Sequence, residues 1–220
     1  MNYIEQLTET MHKGLHDASD IGDEWQTPDK EFFGIVHLFG PFSIDLFASN
    51  FNNKYSVYFT AKDNALTKNW TKYCQKMGLP CRGFANPPYS KPYMGMMDDG
   101  TTCTGLNHII AKATEECAKG FYSVMVVPHN PEADWFGEAL KKATNIWTII
   151  GGRISFDTPD WYQQDPKGTK PSSARGGTSI LIFNPLLIKE RDHALHSWIA
   201  RNYLRELGDI YMNKQEIRAA

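Results

Sequence analysis

Apolar residues recur along the chain with two different periods, and the changes between them mark out its elements. Tyr3, Ile4, Leu7, Met11 and Leu15 have helix-like spacing within a polar N-terminal stretch, which predicts a short amphipathic helix or a loosely held arm. Pro28 followed by Phe32, Phe33, Val36, Leu38 and Phe39, and closed by Gly40-Pro41, predicts the first firm helix. Phe42 to Leu46 then alternates toward a buried strand, and the aromatic and β-branched run Tyr55 to Phe59 predicts a second. Asn64 to Met77 is predicted as a short helix leading into a strand at Cys81 to Phe84. Leu106 to Lys119 has helical spacing up to Gly120, and the nearly continuous apolar run Phe121 to Val127 has the character of a strand covered on both faces. A helix over about 133 to 143 precedes a strand at Ile146 to Ile150. A further strand is expected at Thr178 to Phe183, and Leu195, Trp198, Ile199, Tyr203 and Leu207 predict a helical tail.

Alternation of strand and helix predicts an α/β fold whose ligands lie beyond the carboxyl ends of its strands. The exception is the stretch from Asp157 to Gly177, which is polar, rich in Pro and Gly and free of apolar periodicity, as expected of a long functional loop.

Within this pattern, Ala85-Asn86-Pro87-Pro88-Tyr89-Ser90 forms one chemical device at a strand end. Two consecutive prolines fix φ and remove two backbone donors, so nearby carbonyl oxygens are kept out of ladders. Asn86 can offer its side-chain oxygen and Pro87 its backbone oxygen to one planar amino group, while Tyr89 supplies a face for an aromatic ring. The same residues are also compatible with a rigid strand-ending turn.

Asn-Pro-Pro-Tyr resembles the catalytic motif of S-adenosylmethionine-dependent amino methyltransferases, above all DNA N6-adenine methyltransferases. Trp25-Gln26-Thr27-Pro28 resembles their N-terminal cofactor motif, and Ile44-Asp45-Leu46-Phe47-Ala48 stands in the place of their first cofactor strand. With Gly152-Arg153-Ile154-Ser155-Phe156 and the late apolar strand, the order and short length resemble the small bacteriophage-type enzymes over residues 23–185. The resemblance implies a Rossmann-like class I methyltransferase fold, a mostly parallel sheet with helices on both faces. It also implies transfer of a methyl group from S-adenosyl-L-methionine to a flipped-out adenine in double-stranded DNA, with GATC as the first candidate target. Residues 1–22 then form an arm and residues 186–220 a helical tail, with DNA-contact loops at 91–105 and 157–177.

Asn86, Pro87 and Tyr89 are the expected catalytic residues. Cofactor contacts are expected from Trp25, Thr27, Asp45, Phe47, Ala48, Asp63 and Asn86. Asp45 is equally a strand-end cap, Asp63 an N-cap ahead of Asn64, and Trp25 and Thr27 a staple and cap around Pro28. The family's glycine-rich turn is missing after Asp45. Expected DNA contacts are Pro88, Ser90, Lys91, Arg153, Gln163, Gln164, Lys167, Lys170 and Arg175, although a solvated mixed-charge loop accounts for the last five as well.

Charge and cysteine usage narrow the picture without redirecting it. Lys plus Arg number 23 against 25 Asp plus Glu, so the formal charge of -2 provides no global field for a polyanion and DNA affinity must come from a local patch. Cys74, Cys81, Cys103 and Cys117 lack paired spacing, and no metal site or disulfide frame is expected. With neither a signal peptide nor a membrane-length apolar run, the expectation is a cytoplasmic monomer or homodimer. Two rivals remain: an amino methyltransferase acting on RNA or protein glutamine, and a DNA-binding protein with a degenerate cofactor site.

Overall fold

The computed structural model describes residues 2–92, 97–171, 176–187 and 193–219. Its helices are α1 (Tyr3–Met11), α2 (Asp29–Phe39), α3 (Trp70–Lys76), α4 (Leu106–Ala118), α5 (Asp134–Lys142) and α6 (Arg201–Ala219). Its strands are β1 (Ile44–Asp45), β2 (Arg82–Ala85), β3 (Tyr122–His129), β4 (Asn145–Ile150), β5 (Gly177–Phe183) and β6 (Leu195–Ala200). They form a six-stranded sheet in the order β1-β2-β3-β5-β4-β6. β5 alone is antiparallel to its neighbours, so five strands share one direction. This mostly parallel α/β arrangement is that of a Rossmann-like methyltransferase.

The period-2 geometry of strands explains why helices cover both faces. Met125, Val127, Leu181 and Phe183 project to one side and pack with Trp70, Ile109, Ile110 and Phe136 from α3, α4 and α5. Val124, Val126, Ile180 and Ile182 project to the other and meet Phe32, Ile35 and Val36 of α2 with Leu204 and Leu207 of α6. The α2–α6 crossing is unusually close. A Cβ built on Gly34 would run into the Leu204 carbonyl, and one on Gly208 into the Lys30 carbonyl. Buried Glu31 on α2 accepts from Arg201 Nε at 2.9 Å and fixes the same contact. Because α2 begins directly after Trp25-Gln26-Thr27-Pro28, this anchor holds that segment against the sheet.

Two predicted elements differ. Tyr55 to Phe59 is not a strand but runs beside β1 through a single bridge, Asp45 with Tyr58. Local side-chain bonds divert its backbone: Asp45 Oδ2 accepts from Lys54 N at 3.0 Å, and Asn53 Nδ2 donates to the Tyr55 carbonyl at 3.1 Å. Leu195 to Ile199 belong to β6 rather than to a helix, paired in register with Asn145 to Ile149. Their spacing fits either element, and pairing with β4 decides it. No helix among the described residues is long and apolar enough to cross a membrane.

Replacing Gly208 with Ala should force α6 away from α2 and cost about 3 kcal/mol, because the obstructing atom is backbone that cannot rotate aside. Urea denaturation of Gly208→Ala beside wild type measures this; equal midpoints would contradict the close crossing.

Candidate functional site

β1, β2 and β3 are parallel neighbours, so their carboxyl ends lie along one edge of the sheet, where Asp45, Asn86 and Val127-Pro128 are found. Pro87 is buried directly after β2, and Asn86 is half-buried beside it. Asn86 Nδ2 donates to the Trp25 carbonyl at 2.8 Å, and Asn86 Oδ1 accepts from the Tyr89 hydroxyl at 2.9 Å. That hydroxyl also lies 3.0 Å from the Val126 carbonyl, an alternative acceptor for its single proton. Tyr89 is 38% exposed overall, yet its hydroxyl is turned inward. Burial, and secondarily the Asp23 charge, raise that hydroxyl's pKa well above the usual tyrosine value, so it remains a donor.

Three cavities meet at Asn86. The largest, about 570 Å³, is bordered by Trp25, Pro87, Tyr89, Phe156, Lys170 and Thr178. A pocket of about 40 Å³ lies across Asn86 and is bordered by Tyr3, Asp23, Glu24, Phe47, Ala48 and Pro88 among others. The third, about 10 Å³, is bounded by Trp25, Thr27, Asp45 and Phe47. The structure therefore brings Trp25, Thr27, Asp45, Phe47, Ala48, Asn86, Pro87, Pro88 and Tyr89 together from three separate segments.

Asp23 was not singled out in the sequence. Its Oδ1 accepts from Tyr89 N at 2.9 Å and Ser90 N at 3.2 Å, and its Oδ2 from the Ser90 hydroxyl at 2.6 Å and the Tyr3 hydroxyl at 2.9 Å. Ser90 thus faces Asp23. Glu24, also missed, is buried, and burial raises its pKa. Glu24 Oε2 and Thr27 Oγ1 are buried oxygens without a partner among the described residues. The available signal was adjacency: Asp23 and Glu24 directly precede Trp25.

Asp45 is 2% exposed, and burial pushes its pKa up to about 7 even though the Lys54 N–H opposes the shift. Asp63 is exposed and lines none of these cavities; its Oδ2 accepts from Thr60 N and Oγ1 at 2.9 and 2.7 Å. The cap ahead of the following 3₁₀ turn comes instead from Asn64, whose side chain accepts from Leu66 N.

The long loop is tied to the N-terminal arm. His16 N donates to the Gln163 carbonyl at 2.6 Å, Gln163 N donates to His16 Nδ1 at 3.0 Å, and Asp17 Oδ2 accepts from Thr169 N at 2.7 Å. Gln163 is exposed, whereas Gln164 is held by the Tyr162 hydroxyl and by its own bond to the Asp165 carbonyl. Lys167 and Lys170 are exposed, and of the two only Lys170 borders the large cavity. Arg153 and Lys91 are exposed and border none of the three; Arg175 lies outside the described residues. Among the described residues no group of three His, Cys, Asp or Glu side chains could hold a metal ion, and none of the four cysteines is in a disulfide.

Comparison with known proteins meets this geometry at the level of the whole chain. The family described as DNA N-6-adenine-methyltransferase (Dam) matches residues 15–211. The chain belongs to this family. It is 24% identical to a DNA N-6-adenine-methyltransferase of Haemophilus phage HP1 over 165 residues, 74% of this chain and 79% of that protein. Similarity to the DNA N-6-adenine-methyltransferase of Escherichia phage T1 is 22% over 142 residues, 64% of this chain and 51% of that one. The putative methyltransferase YfdM of Escherichia coli is 44% identical over 87 residues, 40% of this chain and 93% of that protein. The Dam match takes in Asp23, Asn86 and the long loop but leaves α1 outside.

The raised pKa of Asp45 predicts a pH-dependent stability difference. The folded state binds this proton more tightly than the unfolded chain, so the contribution is complete below the unfolded carboxylate pKa of about 3.9 and drains away as pH rises through about 7. Asp45→Asn should therefore gain stability relative to wild type between pH 4.5 and 8, by about 2–4 kcal/mol. Denaturation curves at both pH values measure the change; a constant difference would remove Asp45 as its source.

Proposed function

We propose that this chain transfers a methyl group from S-adenosyl-L-methionine to the N6 amino group of an adenine flipped out of double-stranded DNA. The single observation carrying the reading is the position of Asn86, between a large cavity with an exposed aromatic and a small pocket bordered by Glu24, whose Oε2 is buried without a partner among the described residues. Glu24 Oε2 in the small pocket is an acceptor suited to an ammonium or hydroxyl group of such a cofactor, Thr27 Oγ1 is a second in the adjoining 10 Å³ cavity, and Phe47 and Ala48 offer the small pocket an apolar wall. In that pocket S-adenosyl-L-methionine would supply an electrophilic methyl carbon. Asp45 Oδ1 accepts from Phe47 N at 3.5 Å and so holds that wall, and Asp63, outside the pocket, is proposed to reach the ribose only through the Thr60 turn it caps.

Asn86 and Pro87 do the orienting. The bond from Nδ2 to the Trp25 carbonyl fixes which end of the amide is which, so the oxygen faces the cavity. When the Tyr89 hydroxyl donates to Val126, Asn86 Oδ1 is left to accept an N–H of the target amine, and the Pro87 carbonyl can take the other. Two acceptors favour the more tetrahedral nitrogen of the transition state. Asn86 is neutral and is not assigned as a base; the proton leaves to solvent. The exposed Tyr89 ring stacks on the extruded base. Residues 23–185 carry the catalysis, in bacterial or phage-infected host cytoplasm. Loops 91–105 and 157–177 contact DNA through Lys91, Gln163, Gln164, Lys167, Lys170 and Arg175, joined by Pro88 and Ser90 of the motif and by Arg153 after β4. GATC is the first sequence to test by methylome sequencing.

Nucleoside mass spectrometry of DNA from expressing cells should show N6-methyladenine above an empty-vector control; methyl groups found instead on RNA or protein would overturn the DNA reading. Asn86→Ala should lose about 2–4 kcal/mol of transition-state stabilisation with cofactor affinity retained. Near-normal turnover would sink the assignment of Asn86.

At Tyr89 the ring, not the hydroxyl, is expected to dominate. Tyr89→Phe should be mild, while Tyr89→Ala should lose about 1–3 kcal/mol of base stacking. Equal inactivity of the two variants in steady-state assays would refute the stacking role.

A further inference from the structure

Asp23 makes more polar contacts than any other side chain at the site. Three of its four hydrogen bonds come from Tyr89 and Ser90, the end of the motif loop, and the fourth comes from Tyr3 on α1. Asp23 borders both the 40 Å³ pocket and the 570 Å³ cavity, and Tyr3 borders the smaller one. A continuous path therefore runs from α1 to the backbone of the motif loop: Tyr3 hydroxyl to Asp23, and Asp23 to the Tyr89 and Ser90 amides.

Size and attachment give this path a function. A cleft for a nucleoside-bearing ligand runs to roughly 300 Å³ or more, so the 40 Å³ pocket is closed down in this conformation. α1 buries no residue fully, and beyond Tyr3 its ties include Asn2 Nδ2 to Asp98 at 2.7 Å and the Thr10 carbonyl to His16 Nε2 at 3.0 Å. Ile4, Leu7 and Met11 are half-buried, so less apolar contact is lost when α1 moves than for a helix of the core. Asp23, in contrast, sits at the start of the segment anchored by α2.

We propose that Asp23 is a positioning residue that holds the Asn86–Tyr89 loop, and that Tyr3 latches α1 onto it to close the cofactor pocket. This rests on the preceding assignment of the small pocket to S-adenosyl-L-methionine. Opening α1 admits the cofactor. Closing it returns the Tyr3 hydroxyl to Asp23, completing four bonds to the carboxylate and stiffening the loop that orients the amine.

The test uses the full chain, tritiated S-adenosyl-L-methionine and a DNA substrate, with Tyr3→Ala, Tyr3→Phe and Asp23→Asn beside wild type. Tyr3→Ala should release bound cofactor about tenfold faster, since the wall and the latch are both lost, and Tyr3→Phe, which keeps the ring but loses the bond to Asp23, about threefold faster. Asp23→Asn keeps one acceptor oxygen for the loop, and its kcat should fall about tenfold with both KM values within about twofold. A purely structural role would shift the thermal midpoint without that split. If Tyr3→Phe releases cofactor at the wild-type rate, the latch is overturned; if Asp23→Asn keeps wild-type kcat, or loses activity only in proportion to unfolded protein, the positioning role is overturned. Wild-type protein that binds no S-adenosyl-L-methionine would overturn the pocket assignment and this inference with it, an outcome distinct from a wild type that binds while its variants behave identically.

Discussion

The hydrogen bond from Asn86 Nδ2 to the Trp25 carbonyl, 2.8 Å long and spanning 61 residues of sequence, joins the two segments on which the site depends. A primary amide has two donors and an acceptor at opposite ends, and rotating it by half a turn would set a lone pair against the Trp25 oxygen. The bond therefore fixes the direction of the amide oxygen as well as the separation of the segments. Everything that holds Trp25 in place, including the close α2–α6 crossing and the Glu31–Arg201 pair, acts on the orientation of Asn86. Parallel pairing of β1 with β2 supplies the other half of this constraint by carrying Asp45 and Asn86 to the same edge.

The N-terminal segment is continuous with that arrangement. His16 is 1% exposed, and its Nδ1 accepts a backbone N–H from the long loop while Nε2 approaches the Thr10 carbonyl. Those two contacts select the neutral tautomer with the proton on Nε2, since the Gln163 N–H needs a lone pair. Trp161 meets the same imidazole edge-on, with ring centroids 5.0 Å apart. Residues that border the large cavity, Lys170 among them, are thus placed by an arm whose own sequence shows only weak amphipathic spacing.

Much of this was legible in the chain, for identifiable reasons. Asn86, Pro87 and Tyr89 are adjacent in sequence, and prolines act locally, so their geometry follows from covalent constraint. Strand and helix alternation survives because β3 and β5 are covered on both faces and each carries a continuous apolar run, Val124 to Val127 and Ile180 to Phe183. Asp23 and Tyr3 were not legible as partners. Asp23 meets the motif 66 residues away, and nothing in the local pattern around a single aspartate reports a contact made through the fold. Trp25 was singled out for its side chain, yet its backbone oxygen makes the decisive contact, an atom every residue possesses. Tyr55 to Phe59 and Leu195 to Ile199 were misassigned because β-propensity and apolar spacing carry no information about competing side-chain bonds or about which neighbour a segment pairs with.

The absence of a global positive field acquires a structural meaning here. Several cations near the sheet are committed to protein partners: Lys54 to Asp29 at 2.7 Å, Arg201 to Glu31, and Arg82 to the Phe39 and Pro41 carbonyls with its guanidinium 4.1 Å from the Tyr122 ring centroid. These charges brace α2 and the start of β2 instead of presenting a surface to a polyanion. With a formal charge of -2, the chain can draw in a nucleic acid only through groups local to the cavity rim. Lys170 is the one cation bordering the large cavity among the described residues, on a loop held by the arm, so electrostatic attraction and access to the Asn86 edge depend on the same segment. An arrangement of this kind commits most of these charges to the scaffold and leaves a single described cation, Lys170, on the rim of the large cavity.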